Sequence, residues 1–148
     1  KLSCAESCTG GLIAKKLTDV SGASAVFHGG VVSSVNAVKH VVLGVSGADL
    51  EKYGAVSEPV ARQMAAGARM LLHTDLAVST TGVAGPDKDD RGNAVGTVYI
   101  ALADAEHTWC YPCHFDGTRA QIRTAAAEFA LNLIVRYLAG EDLQEGAL

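Results

Sequence analysis

Ala5-Glu6-Ser7-Cys8-Thr9-Gly10-Gly11 is the stretch whose reading decides the fold. A short apolar lead-in precedes it, and Leu12-Ile13-Ala14-Lys15-Lys16-Leu17 follows as the start of an amphipathic helix. Thr9 is placed to cap that helix, while Gly10 and Gly11 let other backbone or a ligand come close. A helix N-terminus offers unpaired N–H groups and partial positive charge, suited to a phosphate or an oxyanion. Ser7, Cys8 and Thr9, all capable nucleophiles, stand there in a row. Taken alone, the seven residues fit a plain capped strand-to-helix turn as well as a catalytic one.

Working outward, residues 2–5 read as a short strand and 10–19 as the helix, ended by Ser21-Gly22. Residues 27–33 form a second strand, in which Gly29-Gly30 signals a bulge or a close backbone approach. Short helices are expected over 36–43 and 48–53. A longer one starts at Ser57-Glu58-Pro59, with Ser57 as cap, and runs to Leu72 with Val60, Met64, Ala68 and Leu71 inward. Residues 75–81 are a buried strand, 82–96 a polar loop with a charged tip, and 97–103 with 107–115 a hairpin. A last helix covers 119–139, with Ile122, Ala126, Phe129, Leu133 and Val135 or Leu138 inward; the tail 140–148 is expected to fray.

Helices alternating with buried strands, plus one hairpin, imply a single-domain three-layer α/β/α sandwich on a mixed sheet. Ligands in such folds sit at the C-terminal edges of strands. The turns 7–11, 33–39 and 81–86 all follow predicted strands and are expected to converge.

With 148 residues the chain suffices for one well-packed domain. No apolar run spans a bilayer, no secretory h-region is legible, and no membrane partner is expected. Twelve Lys and Arg face sixteen Asp and Glu without basic clustering, which argues against a nucleic-acid partner. The opening Lys1-Leu2-Ser3 lies so near a strand that an upstream segment is expected. Trp109-Cys110-Tyr111-Pro112-Cys113 has the spacing of a thioredoxin-type motif, which requires the first cysteine to begin a helix. Here the neighbours alternate as in a strand, so redox chemistry is not expected. A zinc site at Cys110, Cys113 and His114 lacks a second ligand pair with suitable spacing. The cysteine usage fits a reducing cytoplasm, and a homodimer is compatible with a chain of this size.

Four separated segments, Ala5 to Gly11, Tyr53-Gly54-Ala55-Val56-Ser57-Glu58-Pro59-Val60, Gly82-Val83-Ala84-Gly85-Pro86-Asp87 and Val95-Gly96-Thr97-Val98, stand in the order and spacing of one family. The chain resembles the CinA C-terminal domain, the nicotinamide-mononucleotide amidohydrolase family, over residues 4–138, so 1–139 is expected to be the domain. The resemblance implies hydrolysis of the nicotinamide carboxamide of a small nucleotide, with no metal or organic cofactor. It also implies a helix ahead of the first strand. The family's nucleophilic serine falls on Ser7, its lysine on Lys39, and its substrate-binding threonine and arginine on Thr9 and Arg119. The three turns add candidate substrate contacts at Gly10, Gly11, Asn36, Thr81 and Gly82.

A serine hydroxyl needs a base, and lysine serves when burial lowers its pKa. Apolar Val35, Ala37 and Val38 are expected to surround Lys39, and amides near Cys8 to Gly10 to hold the oxyanion. Two departures from the family stand out. Its Tyr-Ser-Asn segment is Ser34-Val35-Asn36 here, so the tyrosine expected to relay protons is Ser34. The loop after Asp87 carries Lys88-Asp89 and Asn93-Ala94 in place of glycines and Lys-Pro. A weakened member that binds a nucleotide or protein, and an amidase for another carboxamide, therefore remain alternatives.

Overall fold

The strands 2–6, 27–32, 76–82, 97–103 and 108–114 assemble into one sheet, and the computed structural model describes residues 1–144. Numbered in chain order, β1 (Leu2–Glu6), β2 (Phe27–Val32), β3 (Leu76–Gly82), β4 (Thr97–Ala103) and β5 (Thr108–His114) lie in the order β2-β1-β3-β4-β5. β1 runs parallel to both β2 and β3, and the hairpin adds two antiparallel strands. The C-terminal ends of β1, β2 and β3 therefore share one edge, where the three turns follow.

The helices are α1 (Leu12–Thr18), α2 (Asn36–Leu43), α3 (Gly47–Tyr53), α4 (Glu58–Leu71) and α5 (Arg119–Leu138), with a 3₁₀ turn at Ala23–Ala25. Strand alternation divides the core in two. Leu2, Cys4, Val78, Ile100, Leu102 and Tyr111 face α1 and α5 across Ile13, Ile122, Ala126 and Leu133. Ala5 and Ala77 point the other way, against Leu43, Leu50, Val60, Met64 and Ala68 of α2, α3 and α4. This is the expected three-layer sandwich on a mixed sheet.

The glycine pair in β2 does both things its composition suggested. The β1–β2 register passes from Leu2↔Phe27 to Ser3↔Gly29, leaving His28 as the extra residue of a bulge. A Cβ on Gly30 would lie 2.5 Å from the Cys4 sulfur, so only glycine lets the strands pair there. Gly67 performs the equivalent service between helices, where a Cβ would lie 2.0 Å from the Leu43 carbonyl oxygen at the end of α2. Gly67→Ala is expected to cost about 3 kcal/mol by overpacking and to displace α2, read as a lowered urea midpoint.

Several local expectations are corrected. Thr9 does not cap α1, and Ser57 does not cap α4, because its hydroxyl donates to the Gly54 carbonyl (2.8 Å). Leu71, Val135 and Leu138 are exposed, while Ile134 takes the inward position on α5. The start of α5 carries a capping box that pairs Thr118 with Gln121. Part of the tail is packed, since Leu143 is buried against the core; residues 145–148 of that predicted tail lie outside the described residues. All four cysteines are free thiols, with Cys110 and Cys113 on opposite faces of β5. Among the described residues no helix is long and apolar enough to cross a membrane.

Candidate active site

Ser7 is the first residue beyond β1, held by its amide donating to the Thr80 carbonyl of β3 (3.0 Å). Lys39 lies one turn into α2, and its side chain is 1% exposed. Its Nζ donates to Ser7 Oγ (3.0 Å) and to the Ser33 carbonyl (2.7 Å). Among the described residues these two neutral oxygens are its only hydrogen-bond partners, with no carboxylate among them. Burial therefore dominates and lowers the pKa of the Lys39 ammonium below the ordinary lysine value. Such a lysine can hold its free-amine form and take a proton from a serine hydroxyl.

The surroundings of Lys39 differ from the sequence expectation. Val35 is exposed and ends outside the helix as its N-cap, and Ala37 is exposed too. Lys39 and Leu43, four residues apart, form the buried face of α2, while Val41 and Val42 point outward. Lysine in and valine out is the reverse of ordinary amphipathicity. It is the sheet edge, and not the local apolar run, that desolvates the amine.

Ser7 opens onto a cavity of about 650 Å³, lined among others by Gly10, Ser34, Gly82, Asp87, Arg119 and Arg123. The three turns thus meet, as their position after parallel strands requires. Gly82 must be small, because a Cβ there would lie 2.6 Å from the Thr97 carbonyl oxygen. Ser34 is exposed on the cavity wall and makes no hydrogen bond to Ser7 or Lys39. Lys39 Nζ reaches Ser7 Oγ directly, with no side chain between them.

Other predicted contacts point elsewhere. Thr81 is buried and donates to the Ala55 carbonyl (2.8 Å), on the α4 side of the sheet. Thr9 is buried too, donating to Glu6 Oε1 (2.6 Å) and lying 2.8 Å from the Thr80 hydroxyl. Gly11 is the N-cap of α1 and Asn36 an exposed residue opening α2; neither lines the cavity. Cys8 does line it, and burial pushes its thiol up to about 11, so the thiol stays protonated near neutral pH.

Sequence reading missed three contributors: Arg123, the anchoring of the loop tip by Arg91, and Glu6. Arg123 follows Arg119 by one helical turn, and that spacing was the available signal. Its Nε donates to the Cys8 carbonyl and its Nη2 to the Thr9 carbonyl, both at 3.1 Å, fixing the nucleophile turn to α5. Arg119 donates to the Gly85 carbonyl (2.6 Å) and so ties the opposite wall to the same helix. The charged loop tip is likewise anchored. Asp89 accepts from the amides of Arg91 and Asn93, and the Arg91 guanidinium donates to the carbonyls of Leu50, Glu51 and Lys52 at the end of α3.

The third is Glu6, which is fully buried. Its carboxylate accepts from the amides of Ile13 (2.9 Å) and Ala14 (3.1 Å), capping α1 in place of Thr9. The first turn of α1 is therefore occupied internally and does not face a ligand. Gly10 N–H donates to the Ser7 carbonyl, whereas the Cys8 and Thr9 amides have no main-chain partner among the described residues.

A mixed α/β sandwich with a serine and a buried lysine at the rim of a strand-edge cavity defines the class of protein. The CinA C-terminal domain family model matches residues 1–138, and the chain belongs to that family. A CinA-like protein of Syntrophus aciditrophicus is 49% identical over 139 residues, covering 93% of this chain and 33% of its own length. The chain spans about a third of the length of such relatives. A shorter relative, the nicotinamide-nucleotide amidohydrolase PncC of Enterobacter agglomerans, is 46% identical, covering 91% of this chain and 83% of its own length. The crystal structure of competence damage-inducible protein A from Klebsiella pneumoniae superposes with a TM-score of 0.91 at 32% identity, covering 94% of this chain and 86% of that one.

Proposed function

We propose that this chain hydrolyses the carboxamide of nicotinamide mononucleotide to nicotinate mononucleotide and ammonia, with Ser7 as nucleophile and Lys39 as base. The observation that carries the reading is Lys39, a residue 1% exposed, with its Nζ 3.0 Å from Ser7 Oγ at the cavity wall. The amidohydrolase name of the Enterobacter agglomerans relative supports the substrate class.

In this reaction the neutral amine of Lys39 takes the Ser7 proton as Oγ bonds to the amide carbon. The oxyanion draws on the amides of Cys8 and Thr9, which have no main-chain partner among the described residues. The intermediate collapses when Lys39 returns the proton to the departing nitrogen, which leaves as ammonia, and an ester on Ser7 remains. Water, deprotonated by the same amine, attacks that ester; the acid leaves and Ser7 recovers its proton. Gly10 and Gly82 admit the substrate between the turns, and Arg119 with Arg123 supplies positive charge for its phosphate. Thr9, Gly11, Asn36 and Thr81 act through the scaffold. The test is ammonia release from nicotinamide mononucleotide by the purified chain.

Ser34 favours a quantitative refinement. The hydroxyl expected as a relay stands in open cavity space, so a tyrosine there meets solvent and not packed core. Ser34→Tyr is expected to raise the single-turnover rate about tenfold by adding a second proton donor for the leaving nitrogen, with an unchanged melting temperature. A stable variant with no gain in rate shows that the direct Lys39–Ser7 contact suffices.

A further inference from the structure

We propose that Glu6 is a positioning residue for the Ser7–Lys39 pair: its carboxylate ties the nucleophile turn to α1, while its main chain carries the segment that holds the lysine. Glu6 is fully buried and does not line the cavity, so it acts only through what it holds. Its partners are donors without full charge, drawn from three stretches. Oε1 accepts from the Thr9 hydroxyl and the Ile13 amide, and Oε2 from the Ala14 amide, with the Cys4 thiol 3.7 Å away. Thr9 has a single proton, and it goes to Glu6. Thr80 therefore donates to Thr9 across 2.8 Å, and a chain Thr80 to Thr9 to Glu6 links β3, the turn and α1.

The second arm runs through the backbone. The Glu6 carbonyl accepts from the Ser33 amide (2.8 Å), and the Ser33 carbonyl accepts from Lys39 Nζ (2.7 Å). Strand alternation sends the Glu6 side chain toward α1 and leaves Ser7, one residue on, to meet α2. One residue thus sets the register of both halves of the pair. An apolar residue would fill the same space but could not bind four donors. Glutamine would turn an N–H group toward one of the donors that the carboxylate now accepts from. Displacement of a reacting group by about 1 Å costs about 10²-fold in rate.

The experiment compares the full chain with Glu6→Gln and Thr9→Val by crystallography and by steady-state hydrolysis of nicotinamide mononucleotide. The kinetic arm rests on the amidase reading; the crystallographic arm does not. Glu6→Gln is expected to lower kcat about 10- to 100-fold with KM within about twofold, and to move Ser7 Oγ out of hydrogen-bond reach of Lys39 Nζ. Thr9→Val shifts both readouts in the same direction by less, and Thr9→Ser restores them. A Glu6→Gln crystal that keeps the Ser7–Lys39 bond overturns the proposal, as does a raised KM at unchanged kcat. Should Glu6→Gln fail to fold, Thr9→Val decides on the same two readouts. A wild-type chain that releases no ammonia overturns the amidase reading alone, and the crystal distance still decides the role of Glu6.

Discussion

Ser7→Ala is expected to lower ammonia release from nicotinamide mononucleotide by roughly 10⁴-fold or more, because no neighbouring group replaces the lost nucleophile. Cys8 is adjacent, but its thiol is held protonated by burial, and Thr9 has its proton committed to Glu6. The folded state loses little. Ser7 Oγ has one side-chain partner, Lys39, which retains the Ser33 carbonyl after the change. Loss of one such bond costs about 1 kcal/mol, or a shift of about 3 °C in melting temperature for a chain of this size. Calorimetry beside a coupled ammonia assay separates the two effects. Retained turnover in a folded Ser7→Ala protein would remove Ser7 from the mechanism.

Lys39→Met is expected to lower the rate by about 10³-fold through loss of the base, while stability holds or rises. Methionine nearly matches the buried stem in volume and has no charge to desolvate. The pH dependence gives an independent check. Because burial lowers the pKa of Lys39 in the folded chain, the wild-type rate rises with pH as the amine loses its proton. The stability argument has the same sign. Between the folded pKa and the ordinary lysine value of about 10.4, the unfolded chain binds the extra proton, so stability increases with pH across that window. At lower pH both states are protonated and the cost of burying the cation is carried in full. Urea titrations at several pH values should show this slope in the wild type and its loss in Lys39→Met. An unchanged slope would mean that Lys39 stays charged in the folded protein.

The glycine positions show how far local reading carries. Gly29 and Gly30 announced a bulge or a close approach, and the structure has both, because a missing Cβ is a local property that is legible in sequence. Gly67 gave no such signal. Its reason is the Leu43 carbonyl of another helix, a contact defined only after α2 and α4 pack. Caps divide in the same way. Ser57 and Thr9 looked like caps by position, yet their hydroxyls donate to a carbonyl and a carboxylate three residues earlier in the chain.

By itself the sequence determined the layers, the mixed sheet and the meeting of three turns at one strand edge. Periodicity and the succession of strand and helix encode these, and each is set by residues a few positions apart. Ser7 and Lys39 were nameable only through the family resemblance that the segments around them carry. Only the tertiary structure decided what state those side chains are in. Lys39 is buried although Val41 and Val42 on the same helix are exposed, because α2 turns the lysine's face to the sheet edge. Glu6 reads as an ordinary charge at a strand end, but the donors that hold it come from Thr9, Ile13 and Ala14, as α1 folds back over the strand. Burial of a charge is a property of everything packed around it, and that information is spread over the whole chain.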